Sequence, residues 1–192
     1  GEAPRDRITL QDWFEVGSRG LRVEFGDGTV WAAATLTEMG TPPVREIIGT
    51  AGNDEIDGSE AREVIHGLAG NDELYGGGGD DTLTGGKGGD TYFLEAGTGQ
   101  DTIVENESTA SVVDLLQWGS GIQHDQLWLR KVGNNLEVSV IGTGDKAIVK
   151  DWYLGDSRHV EQIWADGKVL TDAKVQALVD AMASFSPPAM GQ

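Results

Sequence analysis

Residues 49–93 divide without a gap into five blocks of nine residues: GTAGNDEID, GSEAREVIH, GLAGNDELY, GGGGDDTLT and GGKGGDTYF. A slip of two residues at Leu94 and Glu95 follows, and AGTGQDTIV resumes the pattern at Ala96. The sixth position is acidic throughout, as Asp54, Glu63, Asp72, Asp81, Asp90 and Asp101, and the eighth is apolar, as Ile56, Ile65, Leu74, Leu83, Tyr92 and Ile103. A flexible glycine-rich linker would account for the glycines but not for carboxylate and hydrophobe held in one register.

Nine residues hold one turn and one short strand, and this limits the folds available. Glycines at positions one, two and four permit a tight turn at positive φ, while the residues after the acid alternate out, in, out. Two blocks then make one coil of a flattened parallel solenoid. With a single inward apolar residue per block, no coil holds a core by itself, so stacking is obligatory.

The chain has 192 residues, 38% of them hydrophobic, with six Trp, which is enough to bury a core. Its formal charge is −18, and residues 49–104 hold 12 Asp and Glu against only Arg62 and Lys87, so −10 of the −18 sits on the repeats. Such a field repels nucleic acid and anionic membrane surfaces and makes cations the natural partners. The absence of Cys excludes disulfides, thiolate metal sites and a Cys nucleophile. No apolar run approaches the roughly 18 residues of a membrane span, so no membrane insertion is expected. His66, His124 and His159 are scattered and no G-x-S-x-G is present, so the segment reads as non-catalytic.

In a coil of two blocks, equivalent turns lie 18 residues apart in sequence and about 4.8 Å apart in space, the spacing of neighbouring strands. Asp54, Asp72 and Asp90 then form one column, and Glu63, Asp81 and Asp101 the opposite one. Bare carboxylates this close repel by more than about 1 kcal/mol each even in a largely aqueous dielectric, so a cation must sit between them. Gly-rich turns also expose backbone carbonyls. The ligands on offer are all hard oxygen, which selects Ca²⁺ over softer metals and over Mg²⁺, which resists dehydration.

These blocks resemble the G-G-x-G-x-D-x-U-x repeat of RTX (repeats-in-toxin) proteins, a Ca²⁺-binding β-helix repeat. The segment from Asp114 to Gly167, with DLLQWGSGI, DQLWLRKVGNNLEV, DKAIVKDWY and ADG, is similar to the haemolysin-type calcium-binding related domain that often follows such a roll. The resemblance implies an all-β fold, a right-handed parallel β-roll flanked by antiparallel β hairpins and one C-terminal α-helix. It also implies a ligand set, in which carbonyls of positions two and four and the acid of one turn meet carbonyls of positions one and three and the acid two blocks later. One site would use Thr50, Gly52 and Asp54 with Gly67, Ala69 and Asp72; a second, Leu68, Gly70 and Asp72 with Gly85, Lys87 and Asp90. On the other edge, Gly77, Gly79 and Asp81 would meet Ala96, Thr98 and Asp101. A fourth site, Ser59, Ala61 and Glu63 with Gly76, Gly78 and Asp81, departs from the pattern and is expected to be weaker, giving about three to four ions in all.

A second repeat frames the first. Asp6–Val30 aligns with Asp145–Val169 at a constant offset of 139 with 8 identities in 25, as expected of a slice through a tandem array. The expected organisation is a hairpin over 1–44 (the tail of a preceding module and a candidate cap), the roll over 45–105, an antiparallel β cap over 106–170, an amphipathic helix over 171–185 and a linker over 186–192. Leu136, Val138 and Val140 alternate as a strand, while Val175, Leu178, Val179 and Met182 recur at helical spacing behind Thr171 as N-cap. Trp13 and Trp152, in the duplicated tail, are expected in the core. Trp128 faces away from Leu127 and Leu129 and is a candidate ligand surface, such as a sugar platform.

The functional expectation is a Ca²⁺-binding module that folds outside the cell, secreted or at a bacterial surface by type I secretion. Its partners would be Ca²⁺, neighbouring modules and, through other parts of the parent, a cell-surface target. The echo at 139 residues favours an adhesin or surface protein as the parent. The alternatives are a toxin or secreted hydrolase whose active part lies elsewhere, and a Ca²⁺-dependent glycan-binding module.

Overall fold

The structure, a computed structural model, describes residues 22–24, 30–32, 44–106 and 112–185. The chain divides into two units, Gly1–Pro43 and Val44–Gln192. In the first, β1 (Arg22–Glu24) and β2 (Val30–Ala32) pair antiparallel, with Val23 opposite Trp31. Trp13 lies outside the described residues.

The second unit is a roll of two parallel sheets. Strands β3 (Arg45–Ile48), β4 (Glu55–Ser59), β5 (Glu63–Ala69), β6 (Glu73–Gly77), β7 (Thr82–Lys87), β8 (Thr91–Leu94) and β9 (Gln100–Ile103) alternate between the two sheets along the chain. Glu55 pairs with Glu73 and Val64 with Thr82, the 18-residue step that a nonapeptide coil requires. The slip at Leu94 and Glu95 lengthens the next step on one edge to 20, pairing Thr82 with Thr102.

Because side chains alternate along a strand, the eighth position of every block points inward. Two apolar ladders result. Ile56, Leu74 and Tyr92 stack in one sheet, and Ile47, Ile65, Leu83 and Ile103 in the other, with Ile65, Leu74, Leu83, Tyr92 and Ile103 fully buried. Burying each such side chain stabilises the roll by about 1.5–3 kcal/mol, gained only once neighbouring coils are in place.

The region expected as an antiparallel cap is instead joined to the roll by parallel pairing. β10 (Leu115–Trp118) lies parallel to β8, extending the first ladder with Leu116. β11 (Leu127–Val132) and β12 (Asn135–Val140) form an antiparallel hairpin, but β13 (Lys146–Val149), antiparallel to β12, is parallel to β9 and adds Val149 beside Ile103. β14 (Gln162–Ala165) runs parallel to β10, adding Ile163, and β15 (Lys168–Thr171) closes that sheet antiparallel. Two further coils therefore continue the roll with connections too long for a nine-residue period. Their inward residues keep the alternation of the repeats, in Leu116 and Trp118, Ala147 and Val149, Ile163 and Ala165.

Helix α1 (Asp172–Ala183) packs on β11 and β15 through Val175 and Val179. Thr171 takes the N-cap position without a side-chain cap bond, and Oδ1 of Asp172 accepts from the N–H of Ala173 instead. Trp152 is buried and stacks on His159 with ring centroids 3.9 Å apart. Trp128 is half-buried, between the buried Leu127 and Leu129.

Candidate metal centre

Each turn acid faces its counterpart one coil away through a hydrogen bond from backbone to side chain. The N–H of Asp54 donates to Oδ1 of Asp72, and that of Asp72 to Oδ1 of Asp90, both at 2.9 Å. On the opposite edge the N–H of Glu63 donates to Oδ1 of Asp81 at 2.7 Å and that of Asp81 to Oδ1 of Asp101 at 3.0 Å. One carboxylate oxygen is thereby occupied. The other, Oδ2 of Asp72, Asp81 and Asp101, is buried with no hydrogen-bond partner.

A buried, unsatisfied carboxylate oxygen is costly, and its cost is visible in proton affinity. Burial, then the neighbouring Glu63 and Asp80 charges, pushes Asp81 up to about 6 against the pull of its backbone hydrogen bond. Burial also pushes Asp101 up to about 7, with Asp81 adding to it, and raises Asp72 in the same direction. A divalent cation against the orphaned oxygens removes this penalty. The donor set is entirely oxygen, which suits Ca²⁺. Among the described residues no three Asp, Glu or His side chains form a metal cluster, so an ion in these columns must also draw on backbone carbonyls.

The glycines shape the space for those carbonyls in two ways. Positions two and four carry the positive φ: Gly70 at +123°, Gly77 at +88°, Gly79 at +117°, Gly86 at +115° and Gly88 at +110°. Leu68 adopts the same conformation at +83° with a side chain. Position one does not, contrary to the expectation from sequence. There glycine is needed because a β-carbon would strike the carboxylate of its own turn: at Gly76 it would lie 2.6 Å from Oδ2 of Asp81, and at Gly67 2.8 Å from the carbonyl of Gly85 and 3.0 Å from Cγ of Asp72.

The first turn on each edge is built differently. Thr50, Gly52, Ser59 and Ala61 do not take the positive φ of the later turns. Oδ2 of Asp54 accepts the N–H of Thr50 at 2.6 Å and its hydroxyl at 2.9 Å, and Glu63 accepts the N–H and hydroxyl of Ser59. Where a threonine or serine stands in place of glycine, its hydroxyl and N–H satisfy the acid. The longer Glu63, fully buried, reaches back to do so. Of the four expected sites, those between Leu68, Gly70, Asp72 and Gly85, Lys87, Asp90, and between Gly77, Gly79, Asp81 and Ala96, Thr98, Asp101, have the left-handed turn on their first side. Those starting from Thr50 and Ser59 do not.

Other parts of the columns were not legible in the repeat motif. The fifth position forms an outer ladder of opposite direction: the N–H of Asn71 donates to Asn53, that of Gly89 to Asn71 and that of Gln100 to Asp80. Asp145 accepts the N–H groups of Gly97 and Gly99 at 3.0 and 3.2 Å, sealing the last turn of its edge with an anion on a backbone nest. Asp114 continues the other column. The only hint of Asp145 and Asp114 in sequence is an acid immediately before an alternating apolar strand.

Comparison with known proteins agrees with this geometry. Residues 46–61 and 57–92 match the RTX calcium-binding nonapeptide repeat, and residues 3–35 and 135–174 match the haemolysin-type calcium binding protein related domain. Among solved structures, the extracellular lipase LipA from Serratia marcescens is similar over 74% of this chain and 23% of that one, at 18% identity and a TM-score of 0.28. The strand pairing described above carries the fold independently of that likeness. Columns of turn acids with orphaned oxygens in a parallel roll agree with these matches: the chain carries RTX calcium-binding nonapeptide repeats, which bind Ca²⁺, and segments matching the haemolysin-type calcium binding protein related domain lie on both sides of them in sequence.

Proposed function

We propose that the chain is a non-catalytic folding and spacing module, which assembles on Ca²⁺ outside the cell as part of a large exported protein built from such modules in tandem. The observation that carries this reading is the buried, partnerless Oδ2 of Asp72, Asp81 and Asp101. In the absence of a cation these oxygens oppose stacking, and without stacking the inward apolar ladders have nothing to pack against. Ca²⁺ neutralises the columns and supplies coordination bonds between turns, so binding and folding are one equilibrium.

Type I export and a surface or adhesin role for the parent are supported by the family and by the related domain recurring at both ends of the chain. In that setting the module adds length and stiffness once Ca²⁺ reaches extracellular levels. Such modules bind with Kd of about 10⁻⁴ to 10⁻³ M.

Far-UV circular dichroism during a Ca²⁺ titration of chelator-treated protein tests the reading. The expected result is a β signal that grows with Ca²⁺ and is not reproduced by the same concentration of Mg²⁺. A full β spectrum with chelator present, unchanged by Ca²⁺, would overturn it.

A further inference from the structure

Away from the repeats, the loop that follows β13 meets the start of α1. Two short 3-10 turns, Trp152–Leu154 and Asp156–Arg158, carry that loop, and with His159, Asp172 and Gln176 they line a cavity of about 240 Å³. The ring of His159 is fixed from two directions: it stacks on the buried Trp152, and its Nε2 lies 3.0 Å from the Trp152 carbonyl. A carbonyl only accepts, so in the neutral ring Nε2 carries the proton and Nδ1 is left as an acceptor. Nδ1 is buried and has no hydrogen-bond partner. The atom it faces, Oδ2 of Asp172 at 3.6 Å, is another acceptor and is too distant for a hydrogen bond.

The hydroxyl of Tyr153, a residue of the same lining, is also buried without a partner. Two orphaned polar atoms thus belong to one cavity, beside the carboxylates of Asp156 and Asp172, and the described lining includes no Lys or Arg. Lys131 is not part of it; its ammonium lies over the ring of Tyr153, 4.2 Å from the centroid. The internal repeat supplies an independent observation. At the offset of 139, Trp152, Ser157 and Arg158 recur as Trp13, Ser18 and Arg19, whereas Tyr153, Asp156 and His159 are replaced by Phe14, Gly17 and Gly20. The aromatic pair is common to both copies. The polar side chains that this loop gives to the cavity belong to the second copy alone.

We propose that this cavity binds a guanidinium group, as carried by arginine. A guanidinium is planar and always charged, presents N–H donors in a fork that reaches two acceptors at once, and lies flat against aromatic rings. Nδ1 of His159 and Oδ2 of Asp172 are the paired acceptors, Asp156 adds charge, and the stacked Trp152 and His159 form the aromatic wall. The size suits the head of a side chain, because pockets for drug-sized ligands run to about 300–1,000 Å³. None of these residues belongs to the Ca²⁺ columns. The site therefore goes beyond the folding and spacing role and gives the module a contact for an arginine-bearing partner.

Isothermal titration calorimetry on the full chain tests the proposal, at saturating Ca²⁺ and about pH 8, where an ordinary imidazole is neutral. The probes are guanidinium, N-acetyl-arginine amide and tetramethylammonium, which has the same charge and no N–H donor. The first two are expected to bind and the third is not; the tighter of the two binders tells an arginine side chain from a free cation. Asp172→Asn and His159→Gln are each expected to weaken binding at least about tenfold, the loss of one charge-assisted hydrogen bond. Circular dichroism checks folding, and if His159→Gln does not fold, Asp172→Asn, at a partly exposed position, decides. Asp125→Asn removes an exposed charge outside this lining. An equal loss in that variant, or equal binding of tetramethylammonium, would overturn the proposal, because only the negative field of the chain would then be read. So would the failure of both guanidinium probes to bind.

Discussion

The N–H of Asp72 is held by Oδ1 of Asp90 at 2.9 Å while Oδ2 of Asp72 is buried without a partner. Each turn acid thus does two things: it locks the backbone of the neighbouring coil and presents a second oxygen to the space between them. Asp72→Ala removes both. The lost acceptor alone leaves the Asp54 N–H unsatisfied, at about 1–3 kcal/mol. The Ca²⁺ midpoint of folding is expected to rise at least roughly tenfold, since 1.4 kcal/mol is a factor of ten. Asp80, exposed and accepting the N–H of Gln100, provides the contrast. Asp80→Ala is expected to move the midpoint by less than about threefold in the same circular dichroism titration, because an exposed hydrogen bond contributes about 0.5 kcal/mol.

Gly85→Ala tests the role of the first position. Its φ is ordinary, so a backbone explanation predicts little effect, but the added methyl would collide with the carboxyl group of Asp90. Loss of Ca²⁺-induced folding, or a shift of the midpoint by more than about tenfold, is expected, in line with an overpacking cost of about 1–3 kcal/mol. A variant folding like wild type would show that the carboxylate can move aside.

Leu68→Gly is expected to stabilise the module. Leu68 holds a φ of +83° with its side chain half exposed, a conformation that costs an L-residue about 1–2 kcal/mol and glycine almost nothing. Little apolar burial is lost in exchange. At saturating Ca²⁺ the thermal midpoint is expected to rise by about 2–4 °C per kcal/mol gained. A fall would show that Leu68 packs against a neighbour that its exposure does not reveal.

Acid is expected to substitute in part for Ca²⁺. In the ion-free fold Asp81 titrates near 6 and Asp101 near 7, both above the ordinary carboxylate value of an unfolded chain. The folded state therefore holds more protons than the unfolded one between about 4 and 7. Stability from these groups is fully present below the unfolded value and is lost as the pH rises through 6 to 7. Metal-depleted protein followed by circular dichroism should gain β signal on acidification from pH 8 to 5. A signal that stays flat or falls over that window would contradict the burial of these acids.

Thr50 and Ser59 close the first turns with hydroxyl–carboxylate bonds where later turns use left-handed glycine. Thr50→Gly is expected to convert the first turn to the later type, and native mass spectrometry should then count one more Ca²⁺ than in wild type. An unchanged count would mean that the threonine does not set where the ion columns begin.

The nine-residue register by itself determined the parallel coil, the inward ladder of Ile56, Leu74 and Tyr92, the two acid columns and the choice of a hard cation. It could do so because turn, strand and acid all fall within one block, and stacking identical blocks aligns their side chains without long-range information. Only the tertiary structure decided how the columns end. Asp114, Glu161 and Asp145 reach ladder positions through connections of 24, 47 and 46 residues, and no local pattern records which distant strand will pair with β8, β9 or β10. The same limit made β13 and β14 read as an antiparallel cap. Alternation specifies that a strand has an inner face, while the direction in which it joins a sheet depends on which edge the preceding coil leaves open.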